Sequence, residues 1–233
     1  MNVIGLIGGM SWESTALYYR IINQEVKQRL GGLHSAKLVL YSVDFQQIEQ
    51  LQVSGEWEKA GAILADAARN LQRAGASFIV LCTNTMHKVA QQITDAVTVP
   101  LLHIADATAQ RIQHAGLRKV GLLATRFTME QDFYRGRLQN NFNIEVITPD
   151  EQDRIFVHDV IYQELCLGEV KPESRIRYRQ IMQKLEEQGA EAIILGCTEI
   201  TLLVEISDAS VPLFDTTLIH AQDAVTQALQ QEH

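Results

Sequence analysis

Proline is scarce, four residues in 233, and no stretch rich in serine and glycine separates one part of the chain from another, so a long flexible linker is excluded. Cysteine is equally sparse. Cys82, Cys166 and Cys197 form an odd, widely spaced set that builds neither a disulfide framework nor a Cys-x-x-Cys metal knuckle, leaving reduced thiols available for chemistry. No apolar run approaches the roughly 18 residues of a membrane span, and Met1 to Gly9 lacks the basic start and long apolar stretch of a secretory signal. Positive charge is also in deficit. Twenty Lys and Arg stand against 28 Asp and Glu, giving a net charge of −8 and a pI near 5.4, which repels nucleic acid and anionic lipid over most of the surface. His34, His103, His114, His158, His220 and His233 have no H-x-x-x-H or H-E-x-x-H spacing, so no metal site is expected. A G-x-G-x-x-G fingerprint, a P-loop and a G-x-S-x-G elbow are missing too. The expectation is a soluble cytoplasmic protein with no structural metal, no support for nucleotide binding, no nucleic-acid partner and no membrane attachment.

What the chain does have is apolar content, 46%, enough to build a substantial core and to exclude intrinsic disorder. Short aliphatic runs at 3–8, 37–43, 78–82, 99–104, 119–124, 144–148, 192–196 and 211–214 alternate with amphipathic stretches such as 12–30 and 57–74. Continuous rather than alternating apolar runs are the mark of strands buried on both faces, and the rhythm predicts an α/β fold with open parallel sheets.

The chain also repeats itself. Gly75-Ala76-Ser77-Phe78-Ile79-Val80-Leu81-Cys82-Thr83-Asn84-Thr85 overlays Gly189-Ala190-Glu191-Ala192-Ile193-Ile194-Leu195-Gly196-Cys197-Thr198-Glu199 without a gap, which makes Thr83 the counterpart of Cys197. Ile4-Gly5-Leu6-Ile7 against Val120-Gly121-Leu122-Leu123, and Val99-Pro100-Leu101-Leu102 against Val211-Pro212-Leu213-Phe214, follow in the same order. Parallel strands resemble one another, but three matches in register point to a duplicated domain. The expected division is 1–105, completed by a C-terminal helix over 217–233, and 106–216. Open α/β domains bind ligands at the carboxyl ends of their strands, so a shared cleft would bring Thr83 and Cys197 to one substrate.

Those strand ends carry the candidate chemistry. Cys197 follows a buried strand and precedes a helix-like pattern, a setting in which helix-end amides favour the thiolate; the alternative is a packed, inert cysteine. Thr83, Asn84 and Thr85 cluster hydroxyl, amide and backbone donors where a carboxylate could be held, or else they merely cap a helix. His87, one turn on, is a structural histidine or a site residue. Gly8-Gly9-Met10-Ser11 turns from the first strand into a helix, with amides near Met10 and Ser11 facing the strand ends. Of Gln46, Gln47, Gln50 and Gln52, most should be solvated surface and one could reach the site, while Cys166 lies on a helix-like stretch and reads as packing.

At these residues the chain resembles the aspartate/glutamate racemase family, the cofactor-independent amino-acid racemases. The carriers are Gly5-Leu6-Ile7-Gly8-Gly9-Met10, Asn84-Thr85-Met86-His87, Gly196-Cys197-Thr198-Glu199, and Phe214-Asp215-Thr216-Thr217 followed by His220-Ala221. The resemblance implies two α/β domains related by a pseudo-twofold axis, an active site in the cleft between them, a homodimer, and a small-molecule amino acid as substrate. Its chemistry uses two cysteines, one taking the α-proton and the other returning it to the opposite face. Met10, Thr83, Asn84, Thr85 and Thr198 are the expected substrate contacts, and the resemblance adds Gln52.

The sequence departs from the family pattern at Thr83, where a cysteine is expected, and Cys82 should aim into packing because neighbours on a strand face opposite ways. A threonine hydroxyl is too weak an acid to be ionised as a base, though it can donate a proton to a forming carbanion. The expected mechanism is proton abstraction by Cys197 and donation by Thr83, with kinetic preference for the L enantiomer. Basic residues that the family commonly places against the distal carboxylate are missing, and Arg126, Arg135 or Lys171 are the possible replacements, with Thr128 a weaker wall candidate. Two alternatives remain: a one-thiol decarboxylase of a malonate-like acid, and a catalytically silent amino-acid-binding protein.

Overall fold

The structure is a computed structural model that describes residues 1–230. The chain divides into two compact units, Met1–Ile104 together with the chain from His220 onward, and Ala105–Ile219. Among the described residues no helix is long and apolar enough to cross a membrane.

In the first unit, β1 (Ile4–Gly8), β2 (Leu38–Ser42), β3 (Phe78–Leu81) and β4 (Leu101–Leu102) form a parallel sheet in the order β2-β1-β3-β4. β1 and β3 are the central strands, and all their residues are buried, which is why they read as unbroken apolar runs. On one face lies α1 (Trp12–Leu30), whose Tyr18, Ile22 and Val26 pack with Ile4, Leu6, Phe78 and Val80. Ala221, Ala224, Val225 and Ala228 of α11 (Thr216–Leu229) join the same cluster; the expected helix over 217–233 is thus seen as far as Leu229, and residues 231–233 lie outside the described chain. On the other face α3 (Trp57–Arg73) buries Leu64, Ala67, Ala68 and Leu71 against Ile7, Ile79 and Leu81, with α2 (Phe45–Val53) contributing Ile48. α4 (Ala90–Asp95) leads into β4, and α5 (Ile104–His114) carries the chain from the first unit into the second.

The second unit repeats the plan with β5 (Lys119–Ala124), β6 (Glu145–Ile147), β7 (Ala192–Gly196) and β8 (Leu213–Asp215) in the order β6-β5-β7-β8, again all parallel. Its helices are α6 (Arg126–Glu130), α7 (Asp132–Phe142), α8 (Glu151–Gln163), α9 (Pro172–Glu187) and the short α10 (Ile200–Leu203). Tyr178 of α9 donates its hydroxyl to Val157 O of α8 at 3.0 Å, and buried Asp153 at the start of α8 is held by Arg177 and by Lys184 at 2.7 Å. A charge this deeply buried is tolerated because both cations neutralise it.

The repeat seen in the sequence extends to individual hydrogen bonds. Ile4 pairs with Phe78 as Val120 pairs with Ala192, and Ile79 pairs with Leu101 as Ile193 pairs with Leu213. Ile79 N–H donates to Pro100 O at 2.8 Å and Ile193 N–H to Pro212 O at 3.0 Å. Gly75 and Gly189 adopt φ values of 92° and 91°, the left-handed region where a side chain is strained, at the same turn into β3 and β7. Equal strand order, register and turn geometry at matching sequence positions are the signature of duplication. In both units the parallel strands point their carboxyl ends the same way, so the residues just past β1, β3, β5 and β7 share one rim of their own sheet.

Candidate active site

On the first unit the rim begins at Gly8-Gly9-Met10-Ser11. Gly9 has φ 94°, and a Cβ there would stand 2.2 Å from Val43 O, so only glycine fits the turn. Thr15 fixes the loop by accepting from Gly9 N–H at 2.8 Å and donating to Ser11 O at 2.9 Å, while Ser11 Oγ caps α1 by accepting from Ser14 N–H at 3.2 Å. The Met10 side chain is packed in the core with Ile48 and Met86, which leaves its backbone as the group able to meet a ligand. Gln46, Gln47 and Gln50 are exposed, whereas Gln52 is buried and its amide donates to Met86 Sδ at 3.0 Å.

Past β3 the chain turns at once, Thr83 N–H donating to Leu81 O at 2.8 Å, and enters a single 3-10 turn over Thr85–Val89. Cys82 is fully buried among Ile4, Leu6, Tyr18 and Val80, and that burial pushes its thiol well above the ordinary range. Thr83 is half-buried at the rim, with Asn84 and Thr85 buried beside it. The Asn84 side chain makes no cap bond to the 3-10 turn, so capping does not account for it.

On the second unit Cys197 directly follows β7 and is half-buried. The expected thiolate is corrected here. Its Sγ–H donates to Glu199 Oε2 at 3.0 Å, and desolvation together with the adjacent Glu199 carboxylate holds the thiol well above its ordinary range. The Glu199 backbone N–H at the N-cap of α10 opposes this, but it is the least of the causes, and α10 is only four residues long. Thr198 is tied down from both sides: its Oγ1 accepts from Thr217 Oγ1 at 3.2 Å and its carbonyl from Thr201 Oγ1 at 2.7 Å. Cys166 sits in a 3-10 turn, Leu165–Leu167, rather than on the preceding helix, and lies close enough for its charge to add to the rise at Cys197.

The candidate cations differ in how they are engaged. Lys171 is balanced by Glu164 at 3.5 Å and Glu169 at 3.2 Å, whereas Arg126 and Arg135 have carboxylates only at 3.9 Å, from Glu130 and Asp132. The pairing of Ala124 with Gly196 sets Arg126 and Cys197 on neighbouring strand ends of one rim. Thr128 is fully buried, its hydroxyl 3.3 Å from Thr125 Oγ1. The sequence reading missed Glu199 as the partner of Cys197; its only signal was a carboxylate two residues past the thiol in Gly196-Cys197-Thr198-Glu199.

A family model described as Asp/Glu/Hydantoin racemase matches residues 7–224. The chain belongs to this racemase family. Among solved structures, one from Yersinia pestis described as a candidate Asp/Glu racemase shares 62% identity over 99% of this chain and 100% of its own, with a TM-score of 0.94. An aspartate racemase homologue from Pyrococcus horikoshii OT3 shares 36% identity over 99% of this chain and 100% of its own, with a TM-score of 0.84. The broad specificity amino-acid racemase RacX of Bacillus subtilis is 26% identical, covering 97% of this chain and 98% of its own length. As a member of the racemase family, the chain is an enzyme of the amino-acid racemase type.

Proposed function

We propose that the protein racemises an acidic amino acid, aspartate or glutamate, without a cofactor, using Cys197 and Thr83 as its two proton-transfer groups. The observation that supports this most directly is the equivalence of those residues in the duplicated units: each follows the carboxyl end of a matching central strand, and each is half-buried at its rim while its neighbours are packed. Met10, Gln52, Asn84, Thr85 and Thr198 are the proposed substrate contacts, with Asn84, Thr85 and neighbouring amides holding the α-carboxylate.

The chemistry then runs as follows. Cys197 first passes its proton to Glu199, a transfer inside one hydrogen bond that leaves the net charge of the pair unchanged, and the resulting thiolate removes the α-proton of the L enantiomer. Thr83 donates a proton to the opposite face of the carbanion. A hydroxyl is a far weaker acid than a thiol, so this step is slow, and abstraction from the D enantiomer by an alkoxide is slower still. Kinetic preference for L follows, while the equilibrium constant between free enantiomers stays at one. Thr83→Cys supplies a thiol on the second face and should give the enzyme turnover with D-aspartate or D-glutamate close to that with the L form, as read by chiral chromatography of the products. An unchanged preference in that variant would remove Thr83 from the mechanism.

A second reading is favoured by the proton resting on Cys197. A thiol held protonated is ready to quench an enolate, which is all that a one-thiol decarboxylase of a malonate-like acid requires. Release of CO₂ from an arylmalonate or alkylmalonate, with no deuterium entering an amino acid, would select it.

A further inference from the structure

His87 is almost completely buried, and both of its ring nitrogens are engaged by backbone groups of the first unit. Nδ1 lies 2.7 Å from Thr83 O, and a carbonyl can only accept, so Nδ1 carries the hydrogen. Nε2 lies 3.2 Å from Ile104 N, and that N–H can only donate, so Nε2 presents its lone pair. The two bonds demand the same species, a neutral imidazole protonated on Nδ1. Either the other tautomer or the imidazolium would set an Nε2–H against the Ile104 N–H. The face of the ring is closed by His103, 4.5 Å away between centroids.

The bond falls at the turn itself. Thr83 N–H is already spent on the sharp turn to Leu81 O, and His87 N–H donates to Asn84 O at 3.1 Å, so the Thr83 carbonyl is taken by the His87 side chain. The ring therefore closes the turn that carries Thr83 out of the core and ties it to the residue that opens α5.

We propose that His87, as the neutral Nδ1–H tautomer, is the positioning residue of Thr83: it pins the Thr83 carbonyl so that the Thr83 hydroxyl is held at the rim for proton donation. The proposal deepens the racemase reading and rests on it. His87 touches no reacting atom and acts only through Thr83. Cys197 stands on the other unit, so loss of His87 should impair the Thr83 half-reaction and spare the Cys197 half-reaction.

The full-length protein in D₂O with L-aspartate separates the two. Deuterium appearing in recovered L-aspartate reports Cys197 alone, whereas D-aspartate formed reports donation from the Thr83 side. His87→Gln can accept from Ile104 N–H but does not reach Thr83 O; it should lower D-aspartate formation by at least about tenfold in kcat, with little change in KM. Exchange into L-aspartate should stay within about threefold of wild type. His87→Asn places an amide donor where Nδ1 stood and should restore D-aspartate formation. Equal losses of both products in both variants, or no loss in either, would overturn the proposal. A second arm needs no turnover: the ¹⁵N spectrum of the wild-type imidazoles should show His87 protonated at Nδ1 and bare at Nε2. The Thr83 carbonyl ¹³C resonance should move in His87→Gln and stay in His87→Asn. A His87 protonated at Nε2, or a Thr83 carbonyl indifferent to His87→Gln, contradicts the assignment whatever the substrate proves to be. Absence of both products in wild type would sink the racemase reading and leave this spectroscopic arm to decide the His87 bond.

Discussion

At the scale of single residues, the thiol of Cys197 is paired with the carboxylate of Glu199 and does not behave as it would alone. The carboxylate opposes ionisation of the thiol because two negative charges would then stand 3.0 Å apart, and it also offers the proton a place to go. Removing the charge while keeping the shape separates these effects. Glu199→Gln in a Cys166→Ser background should shift the pH profile of iodoacetamide alkylation at Cys197 to lower pH, since the carboxylate is among the causes that hold the thiol up. The same substitution should slow turnover, because the proton no longer has its internal acceptor. An alkylation profile identical to wild type would show that the pair is not coupled. The Glu199 contact was not legible in the sequence: a spacing of two residues brings side chains together only if the chain reverses past the strand end, and nothing in Cys197-Thr198-Glu199 announces that reversal. The expected helix-end thiolate failed for a related reason, since the apolar pattern after Cys197 promised a helix whose length it did not disclose.

At the scale of elements, His220 ties α11 to the first unit's sheet. Its Nε2–H donates to Leu102 O of β4 at 2.9 Å, and its Nδ1 accepts from the Tyr18 hydroxyl of α1 at 2.9 Å. Complete burial drives its pKa from an ordinary 6.5 down to about 4, desolvation being the cause and the Leu102 bond a partial opponent. The folded state thus holds His220 neutral where the unfolded chain would protonate it. Stability from this residue is intact above about pH 6.5, falls as the pH drops below that, and reaches its full loss of roughly 3 kcal/mol below about pH 4. His220→Gln removes the titration. Compared with wild type, the variant should lose about 2 kcal/mol less between pH 7 and pH 5 in urea unfolding; identical losses would mean that His220 is not the titrating group. The elements themselves were largely written in the sequence. Runs at 3–8, 119–124 and 192–196 became β1, β5 and β7 almost residue for residue, because strands buried on both faces leave no polar interruption. The run at 99–104 shrank to Leu101–Leu102, since β4 is an edge strand that pairs only with β3 and His103 already leaves the ladder.

At the scale of the whole molecule, two units with one strand order, one register and one pair of matched turns have diverged at a single chemically decisive place. Where one presents Cys197 the other presents Thr83, and their contacts differ too: the Cys197 thiol meets Glu199, and the Thr83 carbonyl meets the His87 ring. Family membership over residues 7–224 makes proton transfer at an amino-acid α-carbon the reaction to test, and under the proposed roles of Cys197 and Thr83 that reaction has a fast face and a slow one. The duplication was visible in three aligned segments, but the contacts of Glu199 and His87 were not, because each is made by folding rather than by a residue type in a pattern. The most direct measurement is α-proton exchange in D₂O followed by NMR, with L- and D-aspartate and L- and D-glutamate supplied separately to wild type and to Cys197→Ala. Rapid deuterium incorporation into the L enantiomers, much slower incorporation into the D enantiomers, and loss of the L exchange in Cys197→Ala are the expected results. L exchange that survives in Cys197→Ala, or no exchange with any of the four amino acids, would contradict the assignment of Cys197 as the abstracting base.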